Sequence, residues 1–171
     1  SALIVRLPAL YGKGLKKNFL YDLHTVTPAL LRPAKYEELA AKSGLVAAGY
    51  ADGGNGFYKL TGAVDAGALR AWFLQNDWNA LNFTDSRSVY QFYDLAGLWG
   101  HIETALCAGL RVLNLATPPV SAAAVYRAVT GGGFKNELPG APFDYDMRTE
   151  HAGLFGGAVD AHRHNVARTE Q

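Results

Sequence analysis

The strongest indication of a fold class in this chain is the stretch Ala2-Leu-Ile-Val-Arg-Leu-Pro-Ala-Leu-Tyr-Gly12. Its nearly continuous run of aliphatic and β-branched side chains is typical of a strand that is covered on both faces. Strands of that kind lie in parallel sheets, whose neighbouring strands are supplied by βα units. The sequence holds no such unit ahead of Ala2. We therefore expect this strand to be an internal element of a larger α/β enzyme, with the first half of that enzyme outside this sequence.

Two later segments have the pattern of further strands in the same sheet. They are Arg87-Ser-Val-Tyr-Gln-Phe-Tyr93 and Leu110-Arg-Val-Leu-Asn-Leu-Ala116. Asp94 follows the first segment and predicts the start of a helix, because an aspartate at this place caps free backbone N–H groups. That helix would bury a wide apolar stripe formed by Leu95, Leu98, Trp99, Ile102 and Leu106.

Another helix is expected after the second segment. Ser121 would cap it, residues 122–129 would form it, and Gly131 would end it. Alternating strands and helices of these lengths predict βα units on a parallel sheet. Further on, residues 143–147 are expected to be extended, and Thr149 is expected to cap one or two helical turns.

The middle of the chain mixes helix and hairpin signals. Helices are expected at three places, residues 18–24, 34–42 and 66–76. Asp65 would cap the last of these helices. The loop sequence Asp52-Gly-Gly-Asn-Gly56 separates two apolar runs, residues 46–50 and 57–60, and predicts a β-hairpin with a long turn. Residues 79–85 are expected to form an extended connection.

Composition excludes several classes of function. The 171 residues are 49% hydrophobic and 18% charged, with a formal net charge of +1, so they carry no basic footprint for nucleic acid or for an anionic membrane surface. The sequence contains no apolar run of the roughly 20 residues that a membrane-spanning helix needs. The single cysteine fits a reducing compartment. We expect a cytoplasmic protein, with a flexible polar tail at residues 158–171.

Four segments, in this order along the chain, are similar to motifs of the extended short-chain dehydrogenase/reductase family, the NAD-dependent epimerases and dehydratases. Val5-Arg-Leu-Pro-Ala-Leu-Tyr-Gly12 resembles its R-x-x-N-x-Y-G strand end, and Arg87-Ser-Val-Tyr-Gln-Phe-Tyr-Asp-Leu-Ala96 resembles its R-D-F-x-x-V-x-D-h-A segment. Val112-Leu-Asn-Leu-Ala-Thr-Pro-Pro-Val-Ser121 resembles its Y-N-h-G-x-G-x-x-x-S turn. Tyr145-Asp-Met-Arg-Thr-Glu-His-Ala-Gly-Leu-Phe-Gly156 is similar to its terminal D-x-S-K-A-x-x-x-L-G element.

The resemblance implies a fold and a function. Residues 1–157 would be the C-terminal portion of such an enzyme: an α/β structure with a partial Rossmann-like parallel sheet and a small mixed α/β substrate-binding subdomain. The parent protein would be an NAD(P)-dependent epimerase, dehydratase or reductase that acts on a nucleotide sugar. NAD or NADP would be bound mainly by the half of the enzyme outside this sequence.

The resemblance also implies site residues. Those beside the nicotinamide would be Pro8, Ala9, Leu10 and Tyr11. Those that hold the nucleotide sugar would be Asn18, Phe19, Arg87, Tyr90, Gln91 and Arg148. An arginine can grip phosphate through a bidentate pair of N–H donors, which suits Arg87 to the diphosphate. A structural ion pair between Arg87 and Asp85 is the alternative. Tyr90 and Gln91 alternate along a strand, so at most one of them would contact the ligand.

No catalytic residue is assigned to this chain. The family's Tyr-x-x-x-Lys pair is absent, because none of the nine tyrosines has a lysine four residues later. The glycine fingerprint G-x-G-x-x-G is absent as well, and His162-Arg-His164 is too sparse to predict a metal site. Two alternatives stay open: a non-catalytic NAD(P)-sensing or scaffold protein of the same fold, and a binding module that another chain completes. Unpaired sheet edges could make the protein a homo-oligomer.

Overall fold

The computed structural model describes residues 2–156. It is a mixed α/β structure with short parallel and antiparallel sheets, and it contains six α-helices within that range. The chain divides into two compact units. Unit 1 joins the first residues, up to Asn18, to those from Thr84 onward, and unit 2 runs from Phe19 to Phe83. The tail expected at residues 158–171 and the pair His162 and His164 lie outside the described residues.

The secondary structure consists of short elements. The strands are β1 (Ile4–Arg6), β2 (Ala9–Tyr11), β3 (Leu30–Leu31), β4 (Tyr50–Asp52), β5 (Tyr58–Leu60), β6 (Val89–Tyr90), β7 (Phe92–Asp94), β8 (Val112–Asn114) and β9 (Val120–Ser121). The α-helices are α1 (Asn18–Thr25), α2 (Pro33–Ala40), α3 (Gly44–Gly49), α4 (Ala66–Gln75), α5 (Leu98–Cys107) and α6 (Ala122–Thr130). Single 3₁₀ turns lie at Ala80–Phe83, Leu95–Gly97 and Ala152–Phe155.

Two parallel ladders in unit 1 pair the opening stretch with both later segments, but within residues 2–156 they form two separate two-stranded sheets and not the single parallel sheet that was expected. β1 lies beside β8, with Ile4 opposite Val112. β2 lies beside β7, with Tyr11 opposite Asp94. Both partner strands come from the segments that the sequence indicated, more than 80 residues along the chain. Because paired parallel strands run in the same direction, Tyr11 and Asp94 end their strands at the same edge.

The prediction of one continuous strand, buried on both faces, was wrong. The stretch forms two strands of three residues, and Pro8, which has no N–H to donate, lies between them. Ile4 is 57% exposed and its partner Val112 is 41% exposed, although Leu113 is fully buried. The aliphatic pattern shows that both faces of the strand could be buried. Each face becomes buried only if another helix or strand packs against it. Within residues 2–156, only one face of the β1–β8 ladder is covered.

The segment at residues 87–93 also forms two strands where one was expected. β6 pairs in antiparallel fashion with β9, and β7 pairs in parallel with β2. Gln91 lies between β6 and β7 and is almost fully buried. The stretch after residue 142 runs beside β6, where Val89 bridges Asp144, in agreement with the extended conformation expected there.

The capping predictions at Asp94 and Ser121 are confirmed, whereas the 3₁₀ turn at Ala152–Phe155 begins after His151 and has no side-chain cap, because the Thr149 hydroxyl accepts from His151 N instead. The Asp94 carboxylate accepts a hydrogen bond from Ala96 N at 2.9 Å, in the 3₁₀ turn that leads into α5. The Ser121 hydroxyl accepts one from Ala124 N at 3.1 Å, at the start of α6. Gly131 ends α6 in the left-handed conformation, at φ 72°, which glycine adopts without strain.

The apolar stripe of α5 is covered only in part, contrary to the prediction. Leu98 and Ala105 pack against the core of unit 1, which contains the buried Tyr93. Trp99 and Leu106 are 67% and 54% exposed. The stripe is wider than the face that α5 presents to this core, so its flanks stay uncovered within unit 1.

Unit 2 combines helices with a three-stranded antiparallel sheet in the order β3-β5-β4. The expected hairpin forms, but its first strand is β4, four residues later than predicted. Residues 44–49 form the helix α3 instead, because Val46 and Gly49 are buried on one side of that helix. Tyr50, the first residue of β4, enters the same core. An apolar run of this length does not distinguish a buried helix from a buried strand.

The remaining helices of unit 2 follow their sequence signals. Pro33 occupies the first turn of α2, and the Asp65 carboxylate caps α4 by accepting from Ala68 N at 2.6 Å. Leu69 and Phe73 of α4 are buried in the core. The extended connection expected at residues 79–85 was wrong in part, since residues 80–83 form a 3₁₀ turn. The side chain of Asn79 favours that turn by accepting from Leu81 N at 3.0 Å.

None of the helices in the described range has both the length and the apolar character that crossing a membrane requires.

Candidate functional site

The four residues expected beside the nicotinamide lie at the second parallel ladder. Ala9 N donates to the carbonyl of Gln91 at 3.1 Å, and the side-chain amide of Asn18 donates to the carbonyl of Leu10. Asn18 adopts a positive φ of 68°, a conformation that asparagine tolerates better than most residues. Tyr11 is 37% exposed, and burial together with the nearby Asp94 carboxylate raises the pKa of its hydroxyl. Pro8 leads into this strand and is half-buried.

Gln91 holds three parts of unit 1 together. Its side chain is 2% exposed, and its amide nitrogen donates to the carbonyls of Thr117 at 2.6 Å and of Met147 at 2.8 Å. Its amide oxygen accepts from Met147 N at 2.6 Å. Both amide N–H groups are therefore committed to the protein backbone. The structure gives Gln91 the role of a clamp between the end of β6, the turn after β8 and the segment before Arg148.

Two buried polar atoms without partners lie next to this clamp. The side-chain oxygens of Asn114 and Thr117 are buried and have no hydrogen-bond partner among residues 2–156. The amide nitrogen of Asn114 donates to the carbonyl of Arg148 at 3.3 Å, and the carbonyl of Thr117 accepts from Gln91. Buried polar atoms without partners are rare in folded proteins, because each costs the free energy of its lost hydration. These two atoms mark a local deficit of hydrogen-bond donors in unit 1.

Arg87 forms the ion pair that the sequence offered as its alternative role. Its guanidinium donates to Asp85 from Nε at 3.0 Å and from Nη2 at 2.7 Å. Asp85 is 5% exposed and also accepts from the backbone nitrogens of Arg87 and Leu138. These hydrogen bonds hold the pKa of the Asp85 carboxyl well below its usual range. The pair ties the loop at Leu138 to the start of β6.

Arg148 and Tyr90 are more accessible. The guanidinium of Arg148 pairs with Asp146, and the side chains of these two residues are 45% and 40% exposed. The ring of Tyr90 lies 5.8 Å from that of Phe92 and 6.0 Å from that of Tyr145. Phe19, expected to stack on the ligand, is 4% exposed within unit 2.

The hydrogen bonds thus connect some of the expected site residues and leave others apart. Ala9, Gln91 and the backbone of Arg148 belong to one network with Asn114 and Thr117, whereas Arg87 is held at a separate loop. Neither Asn114 nor Thr117 was among the site residues that the sequence analysis named. Their position at the carboxyl end of the second predicted strand was the available signal, because ligands of α/β sheets bind beyond the carboxyl ends of strands.

A second polar pair in unit 1 was also missed. The hydroxyl of Tyr93, a residue 3% exposed, shares a hydrogen bond with Nδ1 of His101, and the ring of Phe155 meets that imidazole edge to face at 5.2 Å. Burial and Asp94 raise the pKa of Tyr93 to about 12, and burial lowers the pKa of His101. At neutral pH this pair is therefore uncharged.

One half-buried carboxyl group of unit 2 has no ion pair or hydrogen bond within the described residues. Asp22 lies on α1, and its carboxylate has no ion pair or hydrogen bond within the described part of the chain. Burial raises its pKa to about 6. The folded protein therefore holds this proton more tightly than the unfolded chain does. The contribution of Asp22 to the free energy of unfolding is therefore most favourable below the pKa of the unfolded chain, near 4. This contribution is lost as the pH rises through about 6, where the carboxyl of the folded protein ionises.

Asp22→Asn is expected to stabilise the protein by about 1 kcal/mol at neutral pH, because it removes the cost of ionising a half-buried carboxyl. This figure is smaller than the full shift implies, because partial exposure screens the charge. At about pH 4 the variant and the native protein should be equally stable. Urea unfolding followed by tryptophan fluorescence at both pH values measures the difference. If Asp22→Asn raised the free energy of unfolding equally at both pH values, ionisation of Asp22 would not be the cause of the stabilisation.

Comparison of the chain with protein-family models, with curated proteins and with solved structures gave no match in any of the three.

Proposed function

We propose that this chain is the substrate-binding C-terminal portion of an NAD(P)-dependent epimerase, dehydratase or reductase that acts on a nucleotide sugar. In this proposal β1, β2, β7 and β8 belong to a Rossmann-like sheet, most of which lies outside this sequence. The observation that carries the proposal is the parallel pairing of the opening stretch with both later segments. Those are the pairings that the family resemblance requires, and they bring the motif residues to the carboxyl ends of the strands, where ligands bind.

The residues at this edge fit the nicotinamide of NAD or NADP. The side-chain oxygen of Asn114 is a buried acceptor without a donor, and the hydroxyl of Thr117 can donate or accept. A planar carboxamide offers both an N–H donor and a carbonyl acceptor. When bound, the nicotinamide would supply hydride transfer. Pro8, Ala9, Leu10 and Tyr11 would form the backbone wall of its pocket, and Gln91 would hold Thr117 in place.

The substrate would be held mainly by side chains that remain accessible. Arg148 would exchange its exposed partner Asp146 for the diphosphate of the nucleotide, since guanidinium binds phosphate through paired hydrogen bonds. Tyr90 would pack against a ring of the ligand. Arg87 would act through Asp85, by fixing the loop at Leu138. Positioning of this kind matters because hydride and proton transfer need closely aligned reactants.

The test uses the protein encoded by the complete reading frame. Fluorescence titration would measure binding of NADH and NADPH, and ligand-observed NMR would measure binding of a panel of nucleotide sugars. Arg148→Ala is expected to weaken the nucleotide sugar about tenfold, the loss of one charged contact, and to leave NAD(P)H binding unchanged. The matched control is Arg111→Ala, which removes an exposed arginine before β8 and should change neither affinity.

The outcomes separate the proposal from its alternatives. Binding of NAD(P)H together with a nucleotide sugar, and turnover of that sugar, would support the enzyme. Binding of NAD(P)H without binding of any nucleotide sugar in the panel would instead support the sensor. Failure to bind either dinucleotide would contradict the proposal.

A further inference from the structure

Unit 2 contains a cavity that the proposed function does not use. Its volume is about 500 Å³, within the usual range for small-molecule sites. Its lining comes from α1, from the segment at residues 28–32, from α2, from Phe57 and from residues 78–83. All of these residues belong to unit 2.

One wall of the cavity is an aromatic corner. The rings of Trp78 and Phe83 meet edge to face, with their centroids 5.4 Å apart. Phe83 is 58% exposed and Leu30, which also lines the cavity, is 46% exposed. Apolar groups of this size remain open to solvent, although they line a concave surface. They would gain from covering by the apolar body of a ligand.

The backbone around the cavity is held firmly. The buried hydroxyl of Tyr50 donates to the carbonyl of Pro28, and Ala80 N donates to the carbonyl of Val26 at 2.8 Å. Pro28 and Ala80 both line the cavity. The site therefore exists before a ligand arrives, which lowers the entropic cost of binding.

The charged groups of the lining are one acid and two bases. Lys35 pairs with Glu38 at 2.5 Å and lies 5.0 Å from the centre of the Trp78 ring, so its charge is largely compensated. Asp22 and Arg32 have no ion pair or side-chain hydrogen bond within residues 2–156, either with each other or with any other residue. The cavity thus offers one uncompensated negative charge and one uncompensated positive charge, next to an apolar wall.

We propose that this cavity binds a small zwitterion with an apolar body, of the α-amino acid class. The ligand's ammonium group would pair with Asp22, its carboxylate with Arg32, and its aromatic or aliphatic side chain would cover Trp78 and Phe83. A ligand with one charge would leave either Asp22 or Arg32 without a partner. Asp22 is half-buried and Arg32 is exposed, so the pair with Asp22 would be the better shielded of the two, and a zwitterion fits best because it pairs with both groups at once.

The experiment compares matched ligands on the full chain by calorimetry. The probes are L-phenylalanine, phenethylamine, which lacks the carboxylate, and 3-phenylpropionate, which lacks the ammonium group. We expect L-phenylalanine to bind about tenfold or more tightly than either analogue, since each analogue loses one charged contact. Equal affinity for L-phenylalanine and 3-phenylpropionate would overturn the proposal, and so would the absence of binding by L-phenylalanine at millimolar concentration.

Variants assign each charge to its partner. Asp22→Asn should weaken L-phenylalanine about tenfold and leave 3-phenylpropionate unchanged, while Arg32→Gln should weaken L-phenylalanine and leave phenethylamine unchanged. Asp52→Asn and Arg111→Gln remove exposed charges that do not line the cavity, and they should leave all three affinities unchanged. Because Asp22→Asn is expected to stabilise the fold, loss of binding in that variant would not reflect unfolding. An unchanged affinity of Asp22→Asn for L-phenylalanine would contradict the assignment.

Discussion

Gln91→Glu is expected to destabilise the protein by about 3 kcal/mol or more, although glutamate has nearly the same shape as glutamine. The native amide nitrogen donates to the carbonyls of Thr117 and Met147, and the side chain is 2% exposed. A carboxylate at this place would face two carbonyl oxygens with no proton to donate. It would also carry a charge into a site that has almost no water.

Urea unfolding at neutral pH would measure this loss. The deficit should shrink at about pH 4, because burial raises the pKa of the new carboxyl and its protonated form restores one donor. Gln75→Glu is the control: Gln75 is exposed at the end of α4, and its replacement should change stability by less than about 0.5 kcal/mol. A loss below about 1 kcal/mol for Gln91→Glu would show that the clamp is not essential to unit 1.

Tyr50→Phe is expected to cost about 1 to 3 kcal/mol, the second largest effect, because it leaves a buried carbonyl without its donor. Tyr50 is 4% exposed, and its hydroxyl donates to the carbonyl of Pro28. The variant keeps the ring, so the packing of the core is unchanged. Since Pro28 lines the cavity of unit 2, the variant should also weaken the zwitterion proposed to bind there.

Tryptophan fluorescence during urea unfolding reports this change, because Trp72 and Trp78 both lie in unit 2. Tyr58→Phe is the matched control. The Tyr58 ring stacks on Tyr36, and its hydroxyl has no hydrogen bond within the described part of the chain. Its loss should leave stability nearly unchanged. Equal losses for the two variants would show that the hydrogen bond to Pro28 contributes nothing.

Features that depend on neighbouring residues could be predicted from the sequence. Asp65, Asp94 and Ser121 cap turns or helices two or three residues away, and Gly131 ends a helix by its own backbone conformation. A side chain and a backbone N–H so close in sequence meet in almost any tertiary setting. Capping residues could therefore be identified without knowing the tertiary structure.

Apolar patterns predicted secondary structure and burial less well. They show which side chains of a segment could be buried, but they do not show which other elements pack against them. Ile4 and Trp99 belong to patterns typical of buried elements, yet each is more than half exposed. Residues 46–49 have an apolar run that suits either a strand or a helix, and the core of unit 2 selects the helix α3. The choice depends on packing partners that lie elsewhere in the chain.

Helix ends could be assigned from the sequence alone, because the capping side chain and the backbone N–H that it binds are two or three residues apart. Strand composition indicated which segments are strands, but their pairing and the surroundings of single polar groups depend on contacts between distant parts of the chain. Gln91 becomes a clamp because its partners Thr117 and Met147 lie 26 and 56 residues further along the chain. Asp22 becomes a half-buried acid because it lines a cavity together with residues 28–32 and 78–83. Burial and charge compensation arise from such distant contacts, and for that reason function depends on them.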